Sequence, residues 1–180
     1  SLGGTAEHDG TPMVMGMCHF TPSTPVEIVE TEYPIRIRKF DTWQDSAGAG
    51  RTRGGIGFVR EYELLSDVIL TARTANHEQP GWGVNGGEGP PVCVTSVNPD
   101  GPDEVVLAAL DTREVPAGTV VRLQQTGGSG YGDPFERDST RVLQDVRDGY
   151  LSLAAAGARY GVVIVDNQID RAATAERRKR

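Results

Sequence analysis

Through the first two thirds of this chain apolar positions alternate with polar ones, and only in the last third does the spacing widen to that of helices. Val26 and Ile28, then Ile35 and Ile37, predict two strand pieces within residues 25–40, separated by acids and Pro34. The acid row Glu27, Glu30 and Glu32 reads as a solvated strand edge or, beside Arg36 and Arg38, as a paired network. Residues 56–65 and 68–74 predict a hairpin that turns at Leu65-Ser66-Asp67 and puts Phe58, Tyr62 and Leu64 on one face. Arg60 shares that face, either as a side chain snorkelling at a sheet edge or as half of an interface ion pair. Three more short strands, 92–97, 105–110 and 119–125, are separated by the turn sequences NPDGPD and EVPAG. Asp138 or Ser139 then caps a helix whose Val142, Leu143 and Val146 share a side, and Gly149 ends it. Ser152 caps a second helix, LAAAGARY, which Gly161 terminates ahead of the apolar strand VVIV, and residues 166–180 read as a frayed tail. The expected fold is therefore α+β, an antiparallel β-rich core with long glycine-rich loops, followed by two short C-terminal helices and a strand. One domain, 1–180, divides into a partner-dependent lining segment (1–25), a β-rich core (26–126) and a glycine turn with a helical C-terminal part (127–180).

Glycines interrupt this pattern in three clusters. Between the strand ending at Gln125 and the helix beginning near Asp138 lie Gly127, Gly128, Gly130 and Gly132. A glycine costs backbone entropy on ordering and offers positive φ or close approach of another group, so the cluster reads either as a plain turn or as a cradle of N–H groups for an anion or oxyanion. Gly128, Gly130, Tyr131, Gly132 and Asp133 are the first candidates for substrate contact. Residues 45–57, DSAGAGRTRGGIG, interleave glycine with Arg51 and Arg53, whose guanidinium forks suit a carboxylate or phosphate. Residues 76–91 form a third loop with Trp82 and with His77, an acid–base candidate or a loop hydrogen-bonding residue. The spacing GGSGYGDP fits neither the P-loop nor the dinucleotide fingerprint, and no Gly-Lys-Ser/Thr occurs.

Charge and cysteine content narrow the partners. The net charge of −7 includes +4 from Arg177, Arg178, Lys179 and Arg180, leaving −11 for the body. Such a body repels nucleic acid and anionic membranes. No run of 18 apolar residues occurs, and two separated cysteines, Cys18 and Cys93, need no disulfide, which points to a reducing cytoplasm. His8, Asp9, Cys18 and His19 match no standard metal spacing, so no metal ligand is assigned. The glycine-led start suggests one piece of something longer.

Several motifs in order carry a resemblance: GGTAEHDG, STPVEIVETEYPIRI, DSAGAGRTRGGIGFVREYEL, QPGWGVNGGEG, and GGSGYGDPFERDSTRVLQDVRDGYLSLAAAGARYGVVI. Together they resemble the C-terminal third of the hydantoinase B family, which includes B-type subunits of N-methylhydantoinase, the C-terminal half of 5-oxoprolinase and ketone carboxylase subunits. The resemblance implies a hetero-oligomer with a hydantoinase A-type subunit, which uses ATP to phosphorylate the substrate carbonyl, and with the N-terminal portion of a B-type subunit. It implies ATP and Mg in the complex and a further metal in the partner B-type portion, with none bound by this chain. The expected role is a small subunit contributing scaffold and glycine loops to an ATP-dependent carboxylase or cyclic amide hydrolase, with carboxylation the first reading and a purely structural assembly subunit the rival.

Overall fold

The computed structural model describes residues 1–14 and 23–179. The expectations placed on residues 15–22, including any metal role of Cys18 and His19, lie outside the described residues. The first element is a helix, α1 (Val26–Glu32), where alternation predicted a strand. Val26 and Val29 lie three apart and so share a helical side, and Pro25 supplies a fixed φ where the helix begins. Tyr33, extended as a residue before proline must be, ends the helix and feeds β1 (Ile35–Trp43).

Strands β2 (Gly57–Leu64) and β3 (Val68–Arg73) are consecutive but do not form the expected hairpin. Both edges of β2 are occupied, by β1 on one side and by β7 (Val120–Gln125) on the other. Beyond β7 come β4 (Val94–Val97) and the two-residue β5 (Val105–Val106), giving the antiparallel order β1-β2-β7-β4-β5. After Leu64 the chain turns out of this sheet, and β3 pairs instead with β6 (Leu110–Val115). Apolar burial drives that departure. Leu64, Val115 and Val121 pack together with Ile35, Val68 and Leu70, and Ala72, Val97 and Leu107 form a second cluster. The small sheet is thus laid over the large one.

The C-terminal part follows its local signals. Asp133 caps a 3-10 turn (Pro134–Glu136), Asp138 caps α2 (Ser139–Arg147), and Ser152 accepts from the Ala155 N–H to cap α3 (Leu153–Tyr160). Gly161, at φ 64°, closes α3 in the left-handed region that glycine adopts freely. The tail is ordered rather than frayed: β8 (Ile164–Val165) and β9 (Gln168–Ile169) form a hairpin, followed by α4 (Arg171–Arg177). Asp166 and Asn167 both take positive φ, as a two-residue hairpin turn of primed type requires, and Asp170 caps α4. Val142, Leu151, Ala156, Tyr160 and Val162 form the core of this part and close on Ala49 of the second glycine loop. No helix of the described residues is long and apolar enough to cross a membrane.

Candidate functional site

The three glycine clusters, far apart in sequence, come together in one stack. Tyr131 bridges to Thr52 on one side and to Val84 on the other, so the turn at 127–132 runs between the loop containing residues 46–55 and the loop containing residues 81–89. The first ten residues lie against the same stack through Gly4 N–H to Ser129 O (2.8 Å) and Gly55 N–H to Leu2 O (2.8 Å). Glycine is required here by close approach. A Cβ on Gly54 would sit 1.8 Å from the Gly128 carbonyl oxygen, and one on Gly130 would sit 1.9 Å from the Ala49 oxygen. Backbone packs directly on backbone, leaving no room for side chains.

Five of the N–H groups expected to cradle an anion already have partners within the chain. Gly127 donates to Ser46 O, Gly128 to Gly55 O, Gly130 to Glu88 O, Tyr131 to Thr52 O and Gly132 to Val84 O. Gly128, Gly130 and Gly132 are buried, and the Asp133 carboxylate accepts from the Phe135 N–H at 2.9 Å. Two of the sequence candidates keep side chains at the rim. Arg51 is exposed, with one guanidinium nitrogen donating to Ala6 O at 3.1 Å, and it flanks Gly132. Tyr131 is half-buried, its hydroxyl 2.6 Å from the Asn85 side-chain amide. Trp82 is 81% exposed on the adjoining loop.

Arg53 belongs to a different constellation, one that sequence order hid. Its Nε donates to Asp145 at 2.8 Å and its backbone N–H to Asp9 at 2.8 Å. Arg137, 1% exposed, donates to both oxygens of Asp9 (2.6 and 2.8 Å) and to Asp145 (2.8 Å). Burial works against the Arg137 cation, but the hydrogen bonds it donates to Asp9 and the charges of Asp145 and Asp9 raise its pKa above the ordinary value. Burial also pushes the Asp9 carboxyl upward, and the Arg137 hydrogen bond and charge, with the Arg53 N–H, outweigh it and hold the group below the usual range. Tyr160, beside the network, is pushed up to about 12 by burial. Asp145 did leave a trace in the sequence. It stands on the buried side of α2 with Val142, where a charge needs a partner. Arg137, in a loop rich in charges, left none.

Asp9 is therefore an ion-pair partner, and His8 is exposed beside Glu7 (3.8 Å). Among the described residues no group of three His, Cys, Asp or Glu could hold a metal ion. His77 is half-buried, its Nδ1 without a partner among the described residues, and Cys93 is buried with its thiol 3.6 Å from Gln125.

Fold and stack define a layered antiparallel β module, closed by a helical part and organised around a backbone-packed glycine turn. The chain belongs to the Hydantoinase B/oxoprolinase family, whose model matches residues 1–134. It is 34% identical to the caprolactamase subunit beta of Pseudomonas jessenii, over 92% of this chain and 30% of that protein. The crystal structure of the ATP-dependent caprolactamase from the same organism superposes with a TM-score of 0.87 at 31% identity, covering 99% of this chain and 32% of that one. The acetophenone carboxylase delta subunit of Aromatoleum aromaticum is 28% identical over 81% of this chain and 26% of its own length. The chain spans about a third or less of the curated relatives it matches.

Proposed function

We propose that this chain is the scaffold portion, equivalent to the C-terminal third, of a hydantoinase B-type subunit in an ATP-dependent enzyme that opens a cyclic amide. Its stack would hold Arg51 and Tyr131 at the edge of the reaction site. The supporting observation is the sorting of the candidates. Glycine N–H groups, Asp133 and Arg53 are engaged in the packing of the loops, whereas Arg51 is exposed and Tyr131 half-buried at the rim, each with one side-chain hydrogen bond, to Ala6 O and to Asn85. Gly128, Gly130 and Gly132 then shape that edge through backbone packing, Asp133 fixes the exit into the helical part, and Arg53 anchors the loop carrying Arg51. Amide opening is preferred to the carboxylation expected from sequence because similarity to the caprolactamase subunit (34%) exceeds that to the acetophenone carboxylase subunit (28%). The latter similarity supports carboxylation as the second reading.

The partners in this reading are a hydantoinase A-type subunit and the N-terminal portion of a B-type subunit, in a cytoplasmic hetero-oligomer. ATP and Mg belong to the A-type partner, and any further metal to the rest of the B-type subunit. The test is the assembled complex with ATP, assayed on caprolactam, hydantoin and 5-oxoproline and, separately, on acetone with bicarbonate. Arg51→Ala and Tyr131→Phe are expected to lower kcat/KM by about tenfold, with assembly unchanged on size-exclusion chromatography. Unchanged turnover in an intact complex of both variants would leave the chain a purely structural subunit.

A further inference from the structure

Between α1 and the strands β1 and β2 lies a cavity of about 170 Å³, lined by Thr24, Val26, Val29, Ile37, Arg60 and Tyr62. Among the described residues Arg60 is its one charged group. Its guanidinium carbon sits 3.9 Å from the Phe40 ring centroid, 5.8 Å from that of Phe58 and 6.0 Å from that of Tyr62. One Nη donates to the Tyr62 hydroxyl at 3.2 Å, and the Nε is buried without a partner among the described residues. The second Nη has no acceptor among the described residues.

Nor does Arg60 take part in any ion pair among the described residues. Neighbouring acids are engaged elsewhere: Glu30 accepts from the Ile37 N–H, Glu61 pairs with Arg122 and Glu63 with Arg36. Residues 15–22 contain no Asp or Glu. Arg60 as a whole is half-buried, and ring quadrupoles compensate its cation in part, but its buried Nε and the lack of a counter-charge leave the guanidinium able to take up an anion. The unsatisfied charge faces a cavity whose other walls are two hydroxyl-bearing residues, Thr24 and Tyr62, and three aliphatic ones, Val26, Val29 and Ile37.

We propose that this cavity binds a short-chain aliphatic monocarboxylate, with the carboxylate on Arg60 beside the Tyr62 and Thr24 hydroxyls and the alkyl chain against Val26, Val29 and Ile37. An anionic head meets the unpaired cation, and an apolar tail meets the valine and isoleucine wall. The site lies outside the glycine stack and is independent of the function proposed above.

The experiment is a titration of the 180-residue chain with sodium butyrate at constant ionic strength, with butyramide as the neutral isostere, followed by the amide resonances of Thr24, Ile37 and Tyr62 and the Arg60 side-chain N–H. Butyrate is expected to saturate with Kd of about a millimolar and butyramide to bind about tenfold or more weakly. Arg60→Met retains the aliphatic stem and is expected to abolish the preference for the anion. Val29→Phe leaves the charge and fills the cavity, and should remove butyrate binding even if Arg60→Met does not fold. The proposal is overturned if butyrate and butyramide shift the resonances alike, if Val29→Phe binds butyrate as the parent does, or if no saturation is reached by about 100 mM.

Discussion

Arg137 is held at 1% exposure by carboxylates that reach it from 128 positions upstream and 8 downstream. Its Nε has no partner among the described residues, so Asp9 and Asp145 supply nearly all of what compensates the buried charge. Removing Arg137 leaves Asp145 with Arg53 alone and Asp9 with only the Arg53 N–H, and breaking such a buried set costs about 3–5 kcal/mol. Arg137→Met is therefore expected to lower the unfolding free energy by about that amount in urea titration, and a loss under about 1 kcal/mol would show the network to be ornamental. Asp9 adds a pH dependence whose sign follows from its depressed pKa. A carboxylate held below its unfolded value, about 3.9 for Asp, contributes stability that is full above that value and is lost as pH falls through the folded one. Unfolding midpoints in urea should decline below about pH 4, and Asp9→Asn should flatten that decline while lowering the plateau near neutrality. An acid limb identical in the parent and Asp9→Asn would assign it to other carboxylates.

At the scale of elements, the glycine turn works as a spacer that lets three loops share one backbone layer. Gly54→Ala tests this, because the new methyl would lie 1.8 Å from the Gly128 carbonyl oxygen, a backbone atom that a rotamer change cannot move. The expected loss is about 3 kcal/mol or more. Gly118→Ala meets no atom within 4 Å and pays only for its φ of +83°, about 1–2 kcal/mol. Chemical denaturation of both variants should reproduce that order, and equal losses would mean that conformation rather than contact requires the glycines. These elements also differ in how far they could be read from sequence. α2 and α3 were legible because Asp138, Ser152 and Gly161 act within one turn of their own helices. The β8–β9 hairpin carried a comparable signal in Asp166-Asn167, where two residues tolerant of positive φ adjoin an apolar strand. α1 was misread because Val26 and Ile28 alternate like a strand, while the decisive Val26–Val29 spacing is equally present. The pairing of β2 with β7 and of β3 with β6 depends on which apolar faces meet across 37 or more residues, and local periodicity does not encode that choice. Of the candidate site, the glycine clusters and Arg51 were visible as composition, but the commitment of each N–H to a particular carbonyl was not.

For the molecule as a whole, the first ten residues behave as a strap joining parts far apart in sequence. Leu2 O accepts from Gly55, Gly4 donates to Ser129 O, Thr5 O accepts the Thr52 hydroxyl at 2.5 Å, and Gly10 donates to Arg53 O. Asp9 then completes the counter-charge of Arg137 at the start of the helical part. Losing the strap would orphan the N–H of Gly55 and leave the Thr52 hydroxyl only its 3.4 Å contact with the Tyr131 carbonyl, in addition to removing half of the Arg137 network, and each unsatisfied buried polar group costs about 1–3 kcal/mol. Deleting residues 1–10 should therefore destabilise the chain by about 2–5 kcal/mol beyond Asp9→Asn alone. The amides of Gly55 and of α2 should lose hydrogen-exchange protection together, because Arg137 couples the two regions through Asp9 and Asp145. The β3–β6 amides, which pair with one another and receive no bond from residues 1–10, should keep theirs. If the deletion costs no more than Asp9→Asn, the strap's backbone contacts contribute little and the coupling between sheet and helices rests on the ion network alone.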